Sequence, residues 1–225
     1  MLFVVIILSY VIGSIPFGFL VVKLFSGQDV RQVGSGRTGG TNAMRAAGVP
    51  AGVLTAVLDT LKGAACVWIA QWVFPANTNT QYLAMALVGL GAIVGHNYSV
   101  FLRFKGGAGG APTVGAALAM WPWSFVIAAP VCMGVLFGIG YASLATISAG
   151  LIIAAVFVYR YYAVQSPPEF ILYGVGALIL LAWALRPNIR RLLKGEERII
   201  GWRAKRLKQA AAEAAAAGDK QASGR

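Results

Sequence analysis

Charged residues are scarce in this chain: they make up 12% of its 225 residues, whereas a soluble domain carries about 25%. Hydrophobic residues make up 58%, and the mean hydropathy is +0.72. Apolar runs long enough to cross a bilayer, roughly 20 residues, recur along most of the sequence. These features exclude a soluble enzyme and indicate an integral membrane protein with no separate soluble domain.

Histidine and cysteine are also rare, with one histidine and two cysteines in the chain. These residues show none of the grouped spacing of zinc ligands, and a single histidine cannot build a metal site alone. Cys66 and Cys132 both fall in apolar runs, where a free thiol is normally a small buried side chain. We therefore expect no metal ion and no cofactor.

Acidic residues are outnumbered: 7 Asp and Glu stand against 19 Lys and Arg, for a net charge of +12. Eleven of the 19 basic residues lie between Arg186 and Arg225. A basic cluster directly after a membrane segment marks the cytoplasmic side and binds anionic headgroups. We expect no nucleic-acid partner, because this charge adjoins membrane segments and the chain carries no nucleic-acid-binding motif.

The first apolar run, residues 2–24, lacks the basic start and the cleavage site of a secretory signal. It therefore predicts a retained transmembrane helix, with an irregularity at Gly13-Ser-Ile-Pro-Phe-Gly18. Further spans are predicted at 50–74, 81–102, 113–159 and 170–186. The fold class is thus an all-α, polytopic membrane helix bundle of five to seven spans.

The stretch 113–159 leaves the span count open. It is broken at Pro122, Pro130 and Gly138/Gly140, and its hydropathy predicts two spans, which gives six in total. Six spans would place the basic C-terminal segment on the opposite side from the other basic loops. The charge distribution therefore requires an odd number: either one piece of 113–159 is re-entrant, or short segments bring the count to seven.

Three basic polar loops, at 25–48, 103–112 and 186–209, are predicted to share the cytoplasmic face, and the uncharged link 75–80 suits the outer face. Residues 1–201 form the transmembrane domain, and 202–225 form a basic, then Ala-rich, cytoplasmic tail that is frayed from Ala210. The polar groups collect at one face, and no internal repeat is obvious. Both features argue against a transporter or channel.

The first loop contains the run Gly34-Ser-Gly-Arg-Thr-Gly-Gly-Thr-Asn-Ala-Met-Arg45, which has almost no apolar side chain. Glycine lets backbone N–H groups approach an anion closely, and Arg37 and Arg45 add positive charge. The Gly-x-Gly-x-x-Gly pattern at 34–39 lacks the strand–helix context of a dinucleotide fold, and Gly40 replaces the lysine of a nucleotide phosphate loop. A phosphate site at the membrane edge is predicted; a merely flexible loop is the alternative.

The second and third loops repeat this combination of glycine and cations. Lys105-Gly-Gly-Ala-Gly-Gly110 follows His96, which is either a base or hydrogen-bond donor, or a satisfied histidine at a helix end. Asp59 and Lys62 are ionisable groups within a span, and their spacing of three predicts a structural ion pair that supports the site. The third element is Asn188-Ile-Arg-Arg-Leu-Leu-Lys-Gly-Glu-Glu197.

The motif stretches occur in a specific order between residues 13 and 201: Gly13–Gly18, Gly34–Arg45, Leu58–Gly63, Gly95–Gly109 and Asn188–Glu197. In this order and spacing the sequence resembles the bacterial acyl-phosphate:glycerol-3-phosphate acyltransferases, small multi-pass enzymes of the inner membrane. The resemblance implies transfer of a fatty acyl group from acyl phosphate to the 1-hydroxyl of sn-glycerol 3-phosphate, which gives lysophosphatidic acid without acyl-CoA. It also implies membrane lipid and an acyl-phosphate-producing enzyme as partners.

An acyl phosphate is already activated, so the enzyme must mainly hold two anions close together and orient a hydroxyl against a carbonyl. A phosphate oxygen of the substrate could itself take the proton. The chain lacks the His-x-x-x-x-Asp pair of the other large acyltransferase family, because Phe101 lies five residues after His96.

The resemblance also assigns roles to residues. The catalytic candidates are Ser35, Arg45, His96, Asn188 and Glu197. The candidates for binding substrate phosphate are Gly34, Gly36, Arg37, Thr41, Asn42, Lys105, Gly106, Gly107, Gly109 and Arg191. The first loop is expected to bind one phosphate and the second loop the other, while Asn42, His96, Asn188 and Glu197 orient the acceptor or order the loops.

The sequence departs from the family pattern at several positions. Arg37 replaces an asparagine, and Ala108 replaces the lysine of the second loop. Gly110 and Pro112 replace a valine and a threonine, Leu185 and Arg186 occupy the stretch of a histidine, and Ile199 replaces a basic residue. One hypothesis is that Arg37 and Lys105 compensate for the lost lysine. The alternative is a non-catalytic or altered-substrate relative that binds phosphorylated lipid precursors.

Overall fold

The computed structural model describes residues 1–201 and, beyond them, residues 203, 204, 206, 209, 210 and 213. The predicted Ala-rich tail therefore lies almost wholly outside the described residues. Within them the fold is helical, as predicted. Its α-helices are α1 (Leu2–Ser14), α2 (Phe17–Ser26), α3 (Gly40–Val73), α4 (Asn79–Asn97), α5 (Gly110–Met120), α6 (Trp123–Gly134), α7 (Ala142–Val164), α8 (Glu169–Ala184) and α9 (Arg186–Leu193).

Four of the described helical segments are long and apolar enough to cross a membrane: Leu2–Ser26, Gly40–Val73, Asn79–Leu102 and Ala142–Val164. The pair α8 and α9, bent by 65°, makes a fifth if it counts as one span. The predicted irregularity in the first span is confirmed, since α1 and α2 are separated at Ile15 and Pro16. Proline cannot donate the backbone hydrogen bond that would continue the helix.

Helix α3 begins earlier than predicted. We expected the loop to extend to residue 48, but Gly40 already starts the helix. The helix is broken instead at Ala47 and Gly48, where Gly48 has a φ of +86°, just before Pro50. The expectation of a loop over 40–46 was therefore wrong. Pro50 kinks the helix without ending it, so residues 40–46 form its first turns on the other side of the kink.

The stretch 113–159 consists of three helical pieces. The first, α5, has 11 residues; α6 continues as a π-helical turn over Val135–Ile139; and α7 is a full-length apolar helix of 23 residues. Pro122 and Gly140 lie between pieces, whereas Pro130 lies inside α6. The two short helices return the chain to the end of the bundle from which it came, which corresponds to the re-entrant alternative. The number of spans is odd, five, if α8 and α9 count as one span.

Contacts at the helix ends show which links share an end of the bundle. At one end, Gln81 Nε2 donates to the Gln71 and Phe74 carbonyls, and Gln71 Nε2 donates to Ala119 O at 2.8 Å. At the other end, the Arg37 side chain bonds to the second loop, to the end of α8 and to α9. The three basic loops therefore share one end, as predicted.

Small residues let the central helices pack closely. A Cβ atom on Gly95 of α4 would lie 2.2 Å from Tyr10 O of α1, and one on Gly115 of α5 would lie 1.9 Å from Thr60 O of α3. Such close backbone approach is typical of membrane helix packing, where dispersion contacts replace the hydrophobic effect as the main attraction. This packing fixes the ends of α3, α4 and α5 around one cavity.

Candidate substrate-binding site

A cavity of about 520 Å³ opens where the three polar loops meet. This volume is ordinary for a small-molecule site. Its polar wall includes most of the predicted site residues: Gly34, Ser35, Arg37, Thr41, Asn42, Arg45, His96, Gly109, Asn188, Arg191 and Glu197. The structure does not bring Gly36, Lys105, Gly106 and Gly107 to the wall.

The first loop is held together by Asn42. Its Oδ1 accepts from the Ser35 N–H at 3.2 Å, and its Nδ2 lies 2.8–2.9 Å from the carbonyl oxygens of Val30, Val33 and Arg37. A Cβ atom on Gly34, whose φ is +54°, would lie 2.3 Å from Asn42 Oδ1. The Asn42 amide is therefore fully used in ordering the loop.

Only the second half of the glycine run leaves its backbone amides free to face the cavity. The Gly36 N–H donates to Val33 O, and the Arg37 N–H donates to Ser35 Oγ. By contrast, α3 begins at Gly40 with no side-chain cap, and Gly39, Gly40 and Thr41 line the cavity. The uncapped first turn of a helix offers N–H groups and partial positive charge to an anion.

Arg37 joins the polar elements. Its guanidinium donates to Gly107 O at 3.1 Å, to Ala184 O and to Asn188 Oδ1 at 3.3 Å. Burial, together with nearby Arg191, lowers the pKa of the Arg37 guanidinium from its ordinary value, although arginine stays charged. All three bonded partners are neutral oxygens, so this cation keeps its charge available to a ligand beside Ala108.

Three further arginines line the cavity. Arg191 Nε lies 3.3 Å from Glu197 Oε2, and Asn188 Nδ2 donates to Glu197 Oε1 at 2.8 Å. Arg45 and Arg198 make no hydrogen bond or ion pair within the described part of the chain. Two carboxylates, Glu197 and Asp59, line the same cavity, and Asp59 is paired with Lys62. With four arginines against them, the described polar wall is electropositive and suits a phosphorylated ligand.

His96 is buried and its orientation is set by Asp59. The Nδ1 atom lies 3.5 Å from Asp59 Oδ1, and Lys62 Nζ lies 2.8 Å from the same oxygen. The predicted Asp59–Lys62 pair is thus confirmed. A Cβ atom on Gly107 would lie 2.0 Å from His96 Nε2, so the ring is fixed between Asp59 and the second loop. His96 also lines the cavity, so the two alternatives, a base or hydrogen-bond donor and a satisfied helix-end histidine, both stay predictions.

The second loop folds back on the end of α4. The Gly106 N–H donates to Asn97 O at 3.1 Å and the Gly107 N–H donates to His96 O at 2.9 Å, while Lys105 is exposed. The loop reaches the cavity through Ala108 and Gly109, where α5 begins. The N-termini of α3 and α5 therefore both face the cavity.

The remaining wall is apolar and was not predicted. This apolar wall is lined by Val53 and Val57 of α3 and by Met133, Leu136 and Phe137 of α6 and its π-helical turn. A shallow apolar groove along Ala56, Val57, Thr60 and Leu61 continues from the cavity down the side of α3. The cavity thus joins an electropositive end to an apolar flank. No sequence motif marks this flank, because its residues are ordinary membrane-helix side chains.

Arg198, Ser143 and Thr146 also line the cavity without having been predicted. Arg198 directly follows the predicted site residue Glu197 in the sequence, and this position could have indicated that Arg198 belongs to the site. Ser143 and Thr146 are small hydroxyl residues in an apolar run, and their only signal is the Gly140 break just before them.

Comparison with known proteins agrees with this geometry. Residues 3–195 match the family described as glycerol-3-phosphate acyltransferase. A glycerol-3-phosphate acyltransferase of Staphylococcus haemolyticus is 40% identical over 210 residues, covering 90% of this chain and 99% of the relative. Glycerol-3-phosphate acyltransferase 3 of Dehalococcoides mccartyi is 38% identical, covering 91% and 98%.

The chain belongs to the glycerol-3-phosphate acyltransferase family. Crystal structures of the integral membrane acyltransferase PlsY (YgiH) share its fold. The glycerol 3-phosphate form is 35% identical, with a TM-score of 0.77 over 89% of this chain and 96% of that one. The lysophosphatidic acid form is 33% identical, with a TM-score of 0.76 over 89% and 95%. The family resemblance seen in the sequence is therefore confirmed, as is the helical membrane fold.

Proposed function

We propose that this protein transfers a fatty acyl group from an acyl phosphate to the 1-hydroxyl of sn-glycerol 3-phosphate, which gives lysophosphatidic acid. The observation that carries this proposal is the cavity, which joins an electropositive wall with four arginines to an apolar flank. Such a cavity suits two phosphorylated substrates, one of which carries an acyl chain. Glycerol 3-phosphate and lysophosphatidic acid are the ligands named for the two related PlsY structures.

The reaction needs orientation more than a strong base. The 1-hydroxyl oxygen attacks the acyl carbonyl carbon, the bond from that carbon to the phosphate oxygen breaks, and the hydroxyl proton ends on the departing inorganic phosphate. Holding the two anions together supplies much of the catalysis, and fixed positive groups stabilise the charge that develops on the phosphate.

We assign the contact with substrate phosphate to the residues that face the cavity with free groups. These are Ser35, Arg45 and the amides at Gly40 and Thr41. Arg37, whose guanidinium already donates to neutral oxygens, contributes its charge. Arg45 binds one phosphate with the first loop, and Arg37 takes the place of the missing lysine at Ala108.

Other predicted residues act by positioning. Asn42 orders the first loop, while Gly106 and Gly107 dock the second loop on α4. His96 is held by Asp59, and Glu197 ties Asn188 to Arg191. Lys105 is exposed and contributes only to the positive field of this end.

The same proposal places the protein in the bacterial inner membrane, with the three basic loops and the C-terminus at the cytoplasmic side. The excess of Lys and Arg after residue 186 supports this orientation. An enzyme that makes acyl phosphate must supply the donor, since acyl phosphates are reactive and hydrolyse.

The site assignment is tested by alanine substitution in purified protein. Ser35→Ala and Arg45→Ala are each expected to lower turnover at least about tenfold, because each removes a group that holds the phosphate. The matched controls are Ser26→Ala and Arg190→Ala, which remove an exposed hydroxyl and an exposed cation outside the cavity wall. Near-wild-type rates for both cavity variants would overturn the assignment.

The alternative is a relative that binds phosphorylated lipid precursors without turning them over. Ala108 favours this alternative, since a cation of the family motif is absent from the wall. Binding of radiolabelled glycerol 3-phosphate by folded protein that makes no product would establish it.

A further inference from the structure

The end of the bundle opposite the basic loops carries one arginine, Arg160. It precedes Val164, the last residue of α7, by four positions, so its Cα lies about 6 Å inside that end of the helix. Within the described ranges it is the only Lys or Arg at this end. Membrane proteins normally keep such cations on the side of the basic loops. Arg160 is therefore placed where a specific partner is needed.

The Arg160 guanidinium is packed on a ring but is not hydrogen-bonded. Its central carbon lies 3.9 Å from the centroid of the Trp121 ring, which makes a cation–π contact. The Nε atom is buried without a partner, and the side chain makes no ion pair in the part of the chain that the structure describes. The N–H groups of a guanidinium point outward in its plane, so a ring over one face leaves them able to donate. Trp121 thus holds the cation without neutralising it.

The C-terminus of α7 does not use this cation. The Gln165 N–H donates to Tyr161 O at 3.1 Å, and the Ser166 N–H donates to Arg160 O at 3.3 Å. Gln165 has a φ of +51°, so this is the left-handed termination in which backbone N–H groups cap the last carbonyls. A basic side chain is therefore not required to close the helix.

A hydroxyl and a carboxylate at the same corner also lack partners. Ser166 is 6% exposed, and neither its Oγ nor Glu169 Oε2, both buried, has a hydrogen bond among the described residues. Glu169 directly precedes Phe170, whose ring lies 5.4 Å from that of Phe157, one turn before Arg160. The three groups therefore lie at one end of the contact between α7 and α8. Nearly all buried polar groups in native proteins bind something.

This corner offers donors to an anion and an acceptor to a cation at the membrane interface. Trp121, Tyr161 and Tyr162 are aromatic residues of the kind that lie at the level of the lipid headgroups. A guanidinium fork suits a phosphate, whereas a carboxylate needs a donor such as an ammonium group. Inorganic phosphate or an anionic phospholipid would leave the carboxylate of Glu169 unpaired. An ethanolamine phospholipid carries both a phosphate and a primary ammonium.

We propose that Arg160, Ser166 and Glu169 bind the headgroup of an ethanolamine phospholipid in the leaflet at this end of the bundle. The phosphate binds Arg160 and the ammonium binds Glu169. The lipid then ties the end of α7 to the start of α8, beside the Trp121 corner that joins α5 to α6. This site lies at the end of the bundle opposite the cavity and is separate from the two substrates of the proposed reaction.

Native mass spectrometry of the purified full-length protein, with defined lipids added in detergent, tests the phosphate contact. Arg160→Gln is expected to weaken binding of dioleoyl phosphatidylethanolamine about tenfold, because it removes charge-assisted hydrogen bonds. The matched control is Arg190→Gln, which removes an exposed cation at the opposite end and should leave this affinity unchanged. Equal affinity in wild type and Arg160→Gln would overturn the proposal, as would displacement of the lipid by millimolar inorganic phosphate.

The ammonium contact is tested by changing the headgroup and Glu169 together. Wild type is expected to bind phosphatidylethanolamine about tenfold more tightly than phosphatidylcholine, whose quaternary ammonium has no N–H to donate. Glu169→Gln should remove most of this preference and keep the phosphate contact. Equal binding of the two lipids by wild type, or an unchanged preference in Glu169→Gln, would reject the assignment.

A second variant keeps the test decisive if Arg160→Gln does not fold. Arg160→Lys retains the charge but loses the planar fork, so its affinity for phosphatidylethanolamine should fall between those of wild type and a neutral variant. Added phosphatidylethanolamine should also raise the melting temperature of wild type more than that of Arg160→Lys. Identical affinities and identical shifts for these two proteins would contradict the proposal, whatever the acyl-transfer activity.

Discussion

At the scale of single residues, Arg37 replaces an asparagine of the family motif in a chain that also lacks the motif lysine at Ala108. The Arg37 guanidinium donates to Gly107 O, directly beside Ala108. We propose that it supplies, from the first loop, the positive charge that the second-loop lysine would supply. Arginine stays charged even when partly buried, and its fork holds several oxygens at once.

The proposed replacement of one cation by the other is tested by restoring the family residue at each position. Arg37→Asn is expected to lower acyl transfer about tenfold or more, because it removes a charge-assisted contact from the cavity. The double variant with Ala108→Lys should recover most of that loss, since it restores the family pattern. Rates of acyl transfer with both substrates at saturation measure the effect.

The single variant Ala108→Lys is the control for the swap. With Arg37 intact, the added lysine should change the rate little, because the cation is already supplied. A sharp rise in activity would show that Arg37 does not compensate for the lost lysine.

At the scale of elements, a buried charge cluster joins α3 to α4. Asp59 pairs with Lys62 at 2.8 Å and contacts His96 of α4, while Lys62 Nζ also donates to Ile15 O of the first span. Asp59→Asn leaves the buried Lys62 without its counter-charge and is expected to cost about 3–5 kcal/mol of stability. Adding Lys62→Met should recover part of the loss, as measured by thermal unfolding in detergent. Equal melting temperatures for wild type and Asp59→Asn would contradict a supporting role for the pair.

The close packing of α1 on α4 gives a second prediction at this scale. Gly95→Ala places a methyl group 2.2 Å from Tyr10 O and is expected to destabilise the protein by about 1–3 kcal/mol. Gly134→Ala is the matched control, since no atom lies within 4 Å of the added methyl. Similar melting temperatures for the two variants would show that α1 and α4 do not pack as described.

The sequence predicts elements better than it predicts the wall of the site. The spans, the Pro16 break and the Asp59–Lys62 pair follow from hydropathy and helical spacing, because these are local properties. Ser143 and the apolar flank of Phe137 could not be found in this way, since only the packing of α6 and α7 brings them to the cavity. The glycine run was correctly placed at the site, yet several of its amides bond within the loop, which depends on the Asn42 side chain.

At the scale of the whole molecule, the three basic loops lie at one end and the links near residues 76 and 165 lie at the other. Labelling of cysteines introduced one at a time tests this arrangement in cells. Ala76→Cys is expected to react with a membrane-impermeant maleimide from outside, and Lys194→Cys only after permeabilisation, because both side chains are exposed at opposite ends. The parent protein, with Cys66 buried and Cys132 partly buried, gives the background. The reverse labelling pattern would contradict a cytoplasmic C-terminus.

The central claim is that this cavity transfers an acyl group from acyl phosphate to glycerol 3-phosphate. The most direct measurement is an assay of purified protein with palmitoyl phosphate and radiolabelled glycerol 3-phosphate, with Ser35→Ala as the control and palmitoyl-CoA as the alternative donor. We expect labelled lysophosphatidic acid from palmitoyl phosphate, well above the Ser35→Ala level, and none from palmitoyl-CoA. No product from folded protein that still binds both substrates would contradict the account and identify a relative that kept the fold and lost the reaction.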